Sequence, residues 1–300
     1  MADNPAGTEN SLANLEGFET WGDDRILRTL LEGQHRALAA VEMALPRIAE
    51  AAGIIAKAVA AGGRLIYAGA GTSIRVAVQD GSELPATFGM EEDQLHYLIA
   101  GGRAAMFETL ADAEDDEMAG RSAAATCSAA DVLVAVAASG KTPYTCAAAR
   151  EAGSRGTPVI AVVNNPGSPL AKFADVEVLL QSGPEVISGS TRMGAGTAQK
   201  AALNLMSTLA HTRLGAVYDG LMVNVQAGNS KLQARAAGIV SKITGAPQGL
   251  AETALQAAEG SVKLAVLLAS ARIAPATGKN ILTASHGNLR LALASLKDRV

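Results

Sequence analysis

Between residues 64 and 181 the sequence contains five short apolar runs in which polar and apolar residues do not alternate. They are RLIYAG (64–69), HYLIAGG (96–102), DVLVAVAAS (131–139), TPVIAVVNN (157–165) and DVEVLLQ (175–181). Runs of this kind are typical of strands that are covered on both faces. Stretches with helical periodicity lie between most of them, at 73–80, 103–126 and 143–154. Strands and helices in alternation predict an α/β fold with a doubly wound parallel sheet flanked by helices and joined by right-handed crossovers.

Helical segments are predicted before and after this sheet in the chain. Residues 1–22 show little periodicity and predict a loose N-terminal arm, whereas apolar residues recur three and four apart from Asp24 to Gly63. Pro46 predicts a break between two helices there. Helical patterns return after residue 190, and ITGAPQG (243–249) has the composition of a linker. The predicted organisation is an arm at 1–22, a ligand-binding domain at 23–245 and a C-terminal helical subdomain of three or four short helices at 246–300.

Composition and charge limit the kinds of molecule that the protein can bind. The 300 residues are 49% hydrophobic and carry a net charge of −4 without any basic block, which argues against nucleic-acid binding. No apolar run approaches the ~20 residues that a membrane-spanning helix needs. The N-terminus is acidic and polar, unlike a signal peptide, so we expect a cytoplasmic protein. A small anionic ligand remains compatible with this charge, because local dipoles can outweigh the net charge.

The first candidate site follows the first predicted strand, in YAGAGTSIR (67–75). Gly69 and Gly71 let a ligand approach the backbone closely, and Thr72 and Ser73 stand where a helix should begin. A helix N-terminus offers free N–H groups and the positive end of a dipole. This combination predicts an anion site, although Ser and Thr before a helix can also be simple N-caps.

A second loop repeats this design after the third predicted strand, in AVAASGKTPY (135–144). Ser139, Gly140 and Thr142 precede Pro143, which is well placed in the first turn of a helix. Two such loops on one parallel sheet predict a shared phosphate site. The motifs GxxxxGK[ST] and GxGxxG are both absent from the two loops, which disfavours nucleoside triphosphates and dinucleotides.

Other polar residues have two open interpretations. In GPEVISGSTR (183–192), Glu185, Ser190 and Thr191 can contact a sugar or phosphate, or they can form a turn and an N-cap. Arg75 can face the phosphate or form an internal salt bridge. Glu83, in DGSELPATF (80–88), has small and apolar neighbours that predict partial desolvation.

The motifs together resemble those of a known family. GAGTSIR, DGSELPATFG, AEDDE, AASGKTPY, GPEVISGSTRMGAGTAQK and LMVNVQAGNSKL occur in the order and spacing seen in the N-acetylmuramic acid 6-phosphate etherases. That family consists of sugar isomerase (SIS) domain proteins related to the glucokinase regulatory protein. The resemblance extends from about residue 20 to the C-terminus.

The resemblance implies a function and a site. Family members are carbon–oxygen lyases that bind a sugar 6-phosphate through loops like those at 71–73 and 139–142. They cleave the lactyl ether at carbon 3 and release D-lactate and N-acetylglucosamine 6-phosphate. Two glutamates carry the protons, and their motifs fall on Glu83 and on Glu114, which the residues alone would place in an acidic first helical turn. The resemblance assigns Glu114 as the base at carbon 2 and Glu83 as the acid toward lactate and later the base toward water. It implies neither a metal nor an organic cofactor, and it implies a homodimer.

The match departs from the family pattern at four places. The family's GTSGR and SECPPTF appear here as GTSIR and SELPATF, which leaves both glutamates and the hydroxyl loops intact. After Thr8 and Glu9 the family usually has Arg-Asn-Pro, where this chain has Ser11, Leu12 and Ala13. The family commonly has a lysine at the position of Gly194. These departures leave open which sugar phosphate is bound. Two other functions remain open, a non-catalytic sugar-phosphate-sensing regulator and a sugar-phosphate aldose–ketose isomerase.

Overall fold

The computed structural model describes residues 7–8, 10–108, 110, 112–226, 230–271 and 273–297. The first six residues of the predicted arm, Glu9 and residues 227–229 of the LMVNVQAGNSKL motif lie outside the described residues. The chain divides into two compact units. The first contains the residues up to Gly81 together with Asp93–Ser207, and the second contains Ser82–Glu92 together with the residues from Thr208 onward.

The first unit is built on a parallel sheet. Its strands are β1 (Leu65–Gly69), β2 (Leu95–Ile99), β3 (Val132–Ala137), β4 (Val159–Val163) and β5 (Val176–Leu179). All neighbouring strands run parallel, in the order β2-β1-β3-β4-β5. Each predicted apolar run therefore overlaps a strand, and the predicted α/β fold class is confirmed. A small antiparallel pair in the second unit, β6 (Val217–Tyr218) and β7 (Leu221–Met222), was not predicted.

Helices make up most of the remaining described residues. In chain order they are α1 (Asp23–Ala60), α2 (Gly71–Ser82), α3 (Leu84–Phe88), α4 (Glu117–Ala124), α5 (Pro143–Ser154), α6 (Gly194–Arg213), α7 (Ser230–Thr244), α8 (Gln248–Ala257), α9 (Val262–Ala271), α10 (Pro275–Ala284) and α11 (Leu289–Lys297). None of the helices in the described ranges has both the length and the apolar character of a membrane span.

Different helices cover the two faces of the sheet. On one face, alternate side chains of the central strands pack with Ala124 of α4 and Ala148 of α5. On the other face α1 packs on β1, β3 and β5, and Tyr67 of β1 bonds to Asp80 of α2. Because both faces are covered, β1, β3 and β4 are wholly buried, which explains why their sequences do not alternate.

The predicted break at Pro46 is wrong, since α1 continues through it as one helix of 38 residues. A proline in a helix interior costs ~3 kcal/mol because it lacks an N–H and clashes with the preceding turn. The buried face of α1 runs past the proline on both sides, with Val41 and Ala44 before it and Ile48 after it. Burial of this continuous face against the sheet outweighs the local cost.

The predicted helix over 103–126 is also wrong in most of its length. Among the described residues of that range, only a short 3-10 turn at Arg103–Met106 and α4 are helical. Asp112 has a φ of +62°, a left-handed conformation that interrupts a helix. Helix α4 begins at Glu117, and the carboxylate of the preceding Asp116 accepts the N–H of Ala119 at 2.8 Å as an N-cap.

The second unit is mainly helical. Buried residues from α7 to α11, among them Val240, Leu255 and Val266, form one apolar core. The four helices after residue 246 agree with the predicted C-terminal helices. The compact units divide at 207–208, earlier than the predicted domain boundary at 245–246, because α7 packs on α8 and α9.

Candidate functional site

The sheet order creates a switch point between β1 and β3. After β1 the chain runs to β2 on one side, and it later crosses to β3 on the other side. Ligands of doubly wound sheets bind beyond the carboxyl ends of the strands at such a point. The loops that leave β1 and β3 here are the two hydroxyl-rich loops predicted from the sequence, and they lead into α2 and α5. The fold therefore brings both loops to neighbouring positions on one edge of the sheet.

The loop after β1 is tight against the sheet and open at the start of its helix. A Cβ on Gly69 would lie 2.8 Å from the carbonyl oxygen of Val136, so only glycine fits there. Gly71 begins α2 with a φ of +53°, and no described atom lies within 4 Å of the position of its Cβ. Thr72 is half-buried and Ser73 is buried in the first turn. An anion can therefore reach the backbone at the start of α2.

The loop after β3 contains hydroxyls that simple capping does not explain. Thr142 occupies the N-cap position of α5, yet its side chain forms no hydrogen bond with the described first turn of that helix. Pro143 follows it and carries no N–H. The Ser139 hydroxyl accepts the N–H of Lys141 at 3.1 Å, and Gly140 has a φ of +63°. The Thr142 hydroxyl is thus free of the capping role that was the alternative for this loop.

Glu185 lies at the start of α6. Its carboxylate is buried and accepts the N–H groups of Gly194 and Ala195, both at 2.9 Å. A carboxylate in this position satisfies two free N–H groups and complements the helix dipole. The capping interpretation therefore accounts for these contacts of Glu185, and contact with a sugar or phosphate stays a prediction.

The neighbouring residues of this loop are tied into turns. The N–H of Ser190 bonds to the carbonyl of Ile187, and the N–H of Gly196 bonds to the carbonyl of Thr191. A Cβ on Gly196 would lie 3.2 Å from the Cγ2 of Thr72, so the start of α6 lies beside the first hydroxyl loop. Gly194, at the position of the family's lysine, offers its N–H to Glu185. Ser190 and Thr191 remain predicted ligand contacts.

Glu114 lies beside the second hydroxyl loop. Its carbonyl accepts the N–H of Tyr144 in the first turn of α5 at 2.9 Å, and its side chain is exposed. The residue precedes the N-cap Asp116 and therefore lies outside α4, not in its acidic first turn. The backbone thus holds Glu114 at the edge of the sheet where the phosphate is predicted to bind, and its carboxylate is accessible.

Arg75 connects the first hydroxyl loop to the segment that leads to Glu114. Its guanidinium is half-buried and donates to the carbonyls of Met106 at 3.2 Å and Ala105 at 2.9 Å. No carboxylate within the described ranges pairs with it, so the predicted internal salt bridge is not formed there. The arginine instead secures the turn at Arg103–Met106 to α2.

Glu83 belongs to the second unit and directly precedes α3. Its side chain is exposed and does not cap the described first turn of that helix. The predicted partial desolvation of Glu83 is therefore wrong for the single chain. The apolar neighbours in sequence, Leu84 and Phe88, point into the protein, while Glu83 stands at the helix start.

Comparison with known proteins identifies the family. A model of the SIS domain matches residues 106–209, and a model of the glucokinase regulatory protein N-terminal SIS domain matches residues 47–151. The N-acetylmuramic acid 6-phosphate etherase of Symbiobacterium thermophilum is 49% identical over 243 residues, which are 81% of this chain and 81% of that protein. The etherase of Deinococcus radiodurans is 41% identical over 291 residues, covering 96% and 95% of the two chains.

This chain belongs to the N-acetylmuramic acid 6-phosphate etherase family. The resemblance inferred from the motifs is thereby confirmed, and the protein is an enzyme of the carbon–oxygen lyase class. A putative phosphosugar isomerase involved in capsule formation from Bacteroides fragilis has a similar structure, with a TM-score of 0.51 at 19% identity, covering 66% of this chain and 95% of that one. That similarity shows the fold alone.

Two asparagines that sequence reasoning missed organise the site of this etherase-family chain. Asn164 and Asn165 directly follow β4. The fully buried Asn164 donates to the carbonyl of Leu180 at 3.0 Å and to Ser182 at 3.2 Å, and it accepts from Gln199 at 3.0 Å. These bonds join the loops after β4 and β5 to α6. The only signal in the sequence is a pair of amides at the end of an apolar strand.

A buried carboxylate behind the first loop was also missed. Asp80, near the end of α2, accepts hydrogen bonds from Tyr67 at 2.7 Å, Asn204 at 2.6 Å and Ser207 at 2.9 Å. Burial, together with the nearby Asp80 carboxylate, raises the pKa of Tyr67 well above its ordinary value and that of Tyr97 to about 12. Both phenols therefore stay neutral, and Asp80 holds α2 between β1 and α6.

Proposed function

We propose that this protein cleaves the D-lactyl ether of N-acetylmuramic acid 6-phosphate, producing N-acetylglucosamine 6-phosphate and D-lactate. The observation that carries the proposal is the 41% identity to a named etherase over 96% of the chain. The two hydroxyl loops at the switch point support it, since they suit a phosphate group. The proposal places the protein in peptidoglycan recycling and amino-sugar catabolism, and its cytoplasmic location stays a prediction.

The phosphate would bind where α2 and α5 begin. Helix α2 directs unsatisfied N–H groups toward the carboxyl edge of the sheet, and the dipoles of both helices favour a negative charge there. In the first turn of α5, Pro143 has no N–H and the N–H of Tyr144 bonds to Glu114. Ser73, Ser139 and Thr142 add hydroxyl donors, with Gly71 and Gly140 allowing a close approach of the backbone. A phosphate held by two helix starts needs no large net positive charge on the protein, which fits the charge of −4.

The chemistry proposed is elimination followed by addition of water. In the open-chain sugar the aldehyde acidifies the proton on carbon 2, and Glu114 would remove it. Glu83 would protonate the ether oxygen on carbon 3 as the C–O bond breaks, so that lactate leaves and an unsaturated aldehyde remains. Glu83 would then take a proton from the water that adds at carbon 3, and carbon 2 is reprotonated. This is general acid–base catalysis with two carboxyl groups.

We further propose that two copies of the chain pair along α1. Leu27, Leu31, Leu38 and Leu45 are 64%, 54%, 45% and 45% exposed. Their spacings of four and seven residues place them on one side of a helix with 3.6 residues per turn. An apolar stripe on a surface helix favours association with a second copy that presents the same stripe.

The direct test is to incubate the protein with N-acetylmuramic acid 6-phosphate and to measure D-lactate with an enzymatic assay. Glu83→Gln and Glu114→Gln should each lower the rate by at least a hundredfold, as expected for loss of a general acid or base. Glu91→Gln and Glu117→Gln change exposed glutamates nearby in the chain and serve as controls that should keep the rate within about twofold.

Each alternative function predicts a different outcome of this assay. Tight binding of sugar 6-phosphates without any product would favour the regulator. Formation of a ketose phosphate without lactate would favour the isomerase. A near-normal rate of lactate release in either glutamate variant would show that the assigned proton transfers are wrong, although the etherase activity itself would stand.

A further inference from the structure

The N-terminal arm, here residues 7–8 and 10–22, carries a fully buried threonine near its start. Thr8 has 0% of its surface exposed. Its N–H donates to Oδ1 of Asn165 at 2.9 Å, and its Oγ1 accepts from Nδ2 of the same amide at 2.8 Å. A single carboxamide therefore holds both the backbone and the side chain of Thr8. This contact fixes the start of the arm and contradicts the loose arm that the sequence predicted.

The contact between Thr8 and Asn165 lies next to the second hydroxyl loop. Nδ2 of Asn165 also donates to the carbonyl of Ala138 at 2.9 Å, and Ala138 directly precedes Ser139. The N–H of Asn164 donates to the same carbonyl at 3.0 Å. The residue that holds the arm thus also holds the backbone of the loop predicted to bind phosphate.

Three residues further along, the arm reaches another predicted ligand loop. The hydroxyls of Ser11 and Ser188 lie 3.2 Å apart and share a hydrogen bond. Ser188 is two residues before Ser190 in the loop after β5. Between Thr8 and Ser11 the arm therefore crosses from the end of β3 and β4 to the loop after β5, at the carboxyl edge of the sheet.

The sheet order gives this crossing a position relative to the rest of the site. The segment carrying Glu114 follows β2 and reaches the loop after β3, where the carbonyl of Glu114 accepts the N–H of Tyr144. The arm is tied to the same loop through Asn165 and Ala138, and to the loop after β5 through Ser11. A ligand bound at the switch point would thus have both the Glu114 segment and the arm beside the loop after β3.

We propose that the N-terminal arm forms one wall of the sugar-phosphate site and that Thr8, held by Asn165, is the positioning residue that keeps this wall in place. The inference rests on the proposed function for the identity of the ligand, an amino sugar 6-phosphate. It adds a determinant of substrate affinity outside the helix starts and the two glutamates. Because the arm crosses two ligand loops, it also contributes to the selection of the sugar.

The test uses Thr8→Val in the full chain. Valine keeps the shape of threonine and removes the hydroxyl, while Nδ2 of Asn165 keeps its bond to Ala138. We expect a five- to tenfold rise in KM for N-acetylmuramic acid 6-phosphate, equivalent to about 1–1.4 kcal/mol, with kcat changed less than twofold. Thr253→Val is the matched control, because Thr253 lies in α8, outside the arm, where its hydroxyl bonds to the Gly249 carbonyl at 2.8 Å, and it should leave both constants unchanged.

A second variant and a binding measurement separate the possible failures. Asn165→Asp removes the Nδ2 donor and should weaken N-acetylglucosamine 6-phosphate binding in calorimetry by a similar factor, with faster hydrogen exchange in residues 7–22. If the unaltered chain releases no lactate, the proposed function is refuted. If both variants then still bind N-acetylglucosamine 6-phosphate more weakly than the unaltered chain, the arm's role is sustained. KM and Kd within twofold of the unaltered chain in both variants would overturn the arm's role. So would a lower kcat and a lower thermal midpoint at unchanged KM, because that outcome assigns the arm a purely structural part.

Discussion

Replacing Gly140 by alanine should damage the loop after β3 through two effects that can be separated. Gly140 has a φ of +63°, a left-handed conformation that costs a residue with a Cβ about 1–2 kcal/mol. The new Cβ would also lie 2.4 Å from both Cβ and Oγ of Ser168 and 3.1 Å from Cγ1 of Val163. Ser168 cannot simply yield, because its own loop is tied to this position by the bond from the N–H of Leu170 to the carbonyl of Gly140 at 3.0 Å.

These two effects set the expected magnitude. Overpacking a tight site typically costs 1–3 kcal/mol. Together with the backbone cost, Gly140→Ala should lower the free energy of unfolding by about 2–5 kcal/mol. Gly167→Ala is a matched control in the neighbouring loop, since Gly167 has a φ of +66° and no described atom lies within 4 Å of its Cβ position. That variant should lose only the backbone part, about 1–2 kcal/mol.

A double variant isolates the steric part. Ser168→Gly removes the side chain that the new Cβ would meet, so Gly140→Ala made in that background should cost about as much as Gly167→Ala. Urea denaturation followed by circular dichroism measures the free energy of unfolding of the unaltered chain and of the four variants. Calorimetry with N-acetylglucosamine 6-phosphate measures the loop's ability to bind. Equal losses in Gly140→Ala and Gly167→Ala would refute the steric argument. Unchanged affinity in Gly140→Ala would contradict the placement of the phosphate at this loop.

Two further predictions concern the second unit and α1. Burial lowers the pKa of Lys263 from 10.5 to about 8, so the unfolded chain binds a proton that the folded chain releases between these pH values, and stability rises with pH across that window. Lys263→Met should raise the free energy of unfolding at pH 7 by about 2–3 kcal/mol. In urea titrations this gain should disappear near pH 11, and no gain at pH 7 would contradict the prediction. The double variant Leu31→Glu, Leu38→Glu should give the single-chain mass of 30.4 kDa in light scattering. The control Leu250→Glu, which changes an exposed leucine of α8, should keep the mass of a dimer. A single-chain mass for the unaltered protein would refute pairing.

Local sequence signals predicted the sheet and the two hydroxyl loops. A continuous apolar run and a following Gly-Thr or Ser-Gly pair lie within about ten residues, and they indicate burial on both faces and a helix start. For the same reason the positions of Ser73, Ser139 and Thr142 after β1 and β3 followed from the sequence. The family motifs then added Glu83 and Glu114, which no local signal would have singled out as a pair.

Predictions that depended on competition between local and tertiary effects were less successful. Pro46 was expected to end a helix, but the apolar face of α1 on both sides of it packs on the sheet and keeps the helix continuous. Glu83 was expected to be shielded by its sequence neighbours, yet those neighbours turn inward and leave it exposed. In both cases the outcome depends on the surface that the segment meets after folding.

By itself, the amino-acid sequence determined the five strands of the parallel sheet and most of the helices around it, and it placed the two hydroxyl loops at one edge of that sheet. These properties follow from apolar periodicity, glycine and helix-start residues, all of which act over a few neighbouring positions. Only the tertiary structure decided that Asn165 holds Thr8, 157 positions away, and that Arg75 secures the segment before Glu114. Such contacts join side chains that no local pattern relates, because they form between surfaces that meet only once the parallel sheet has assembled.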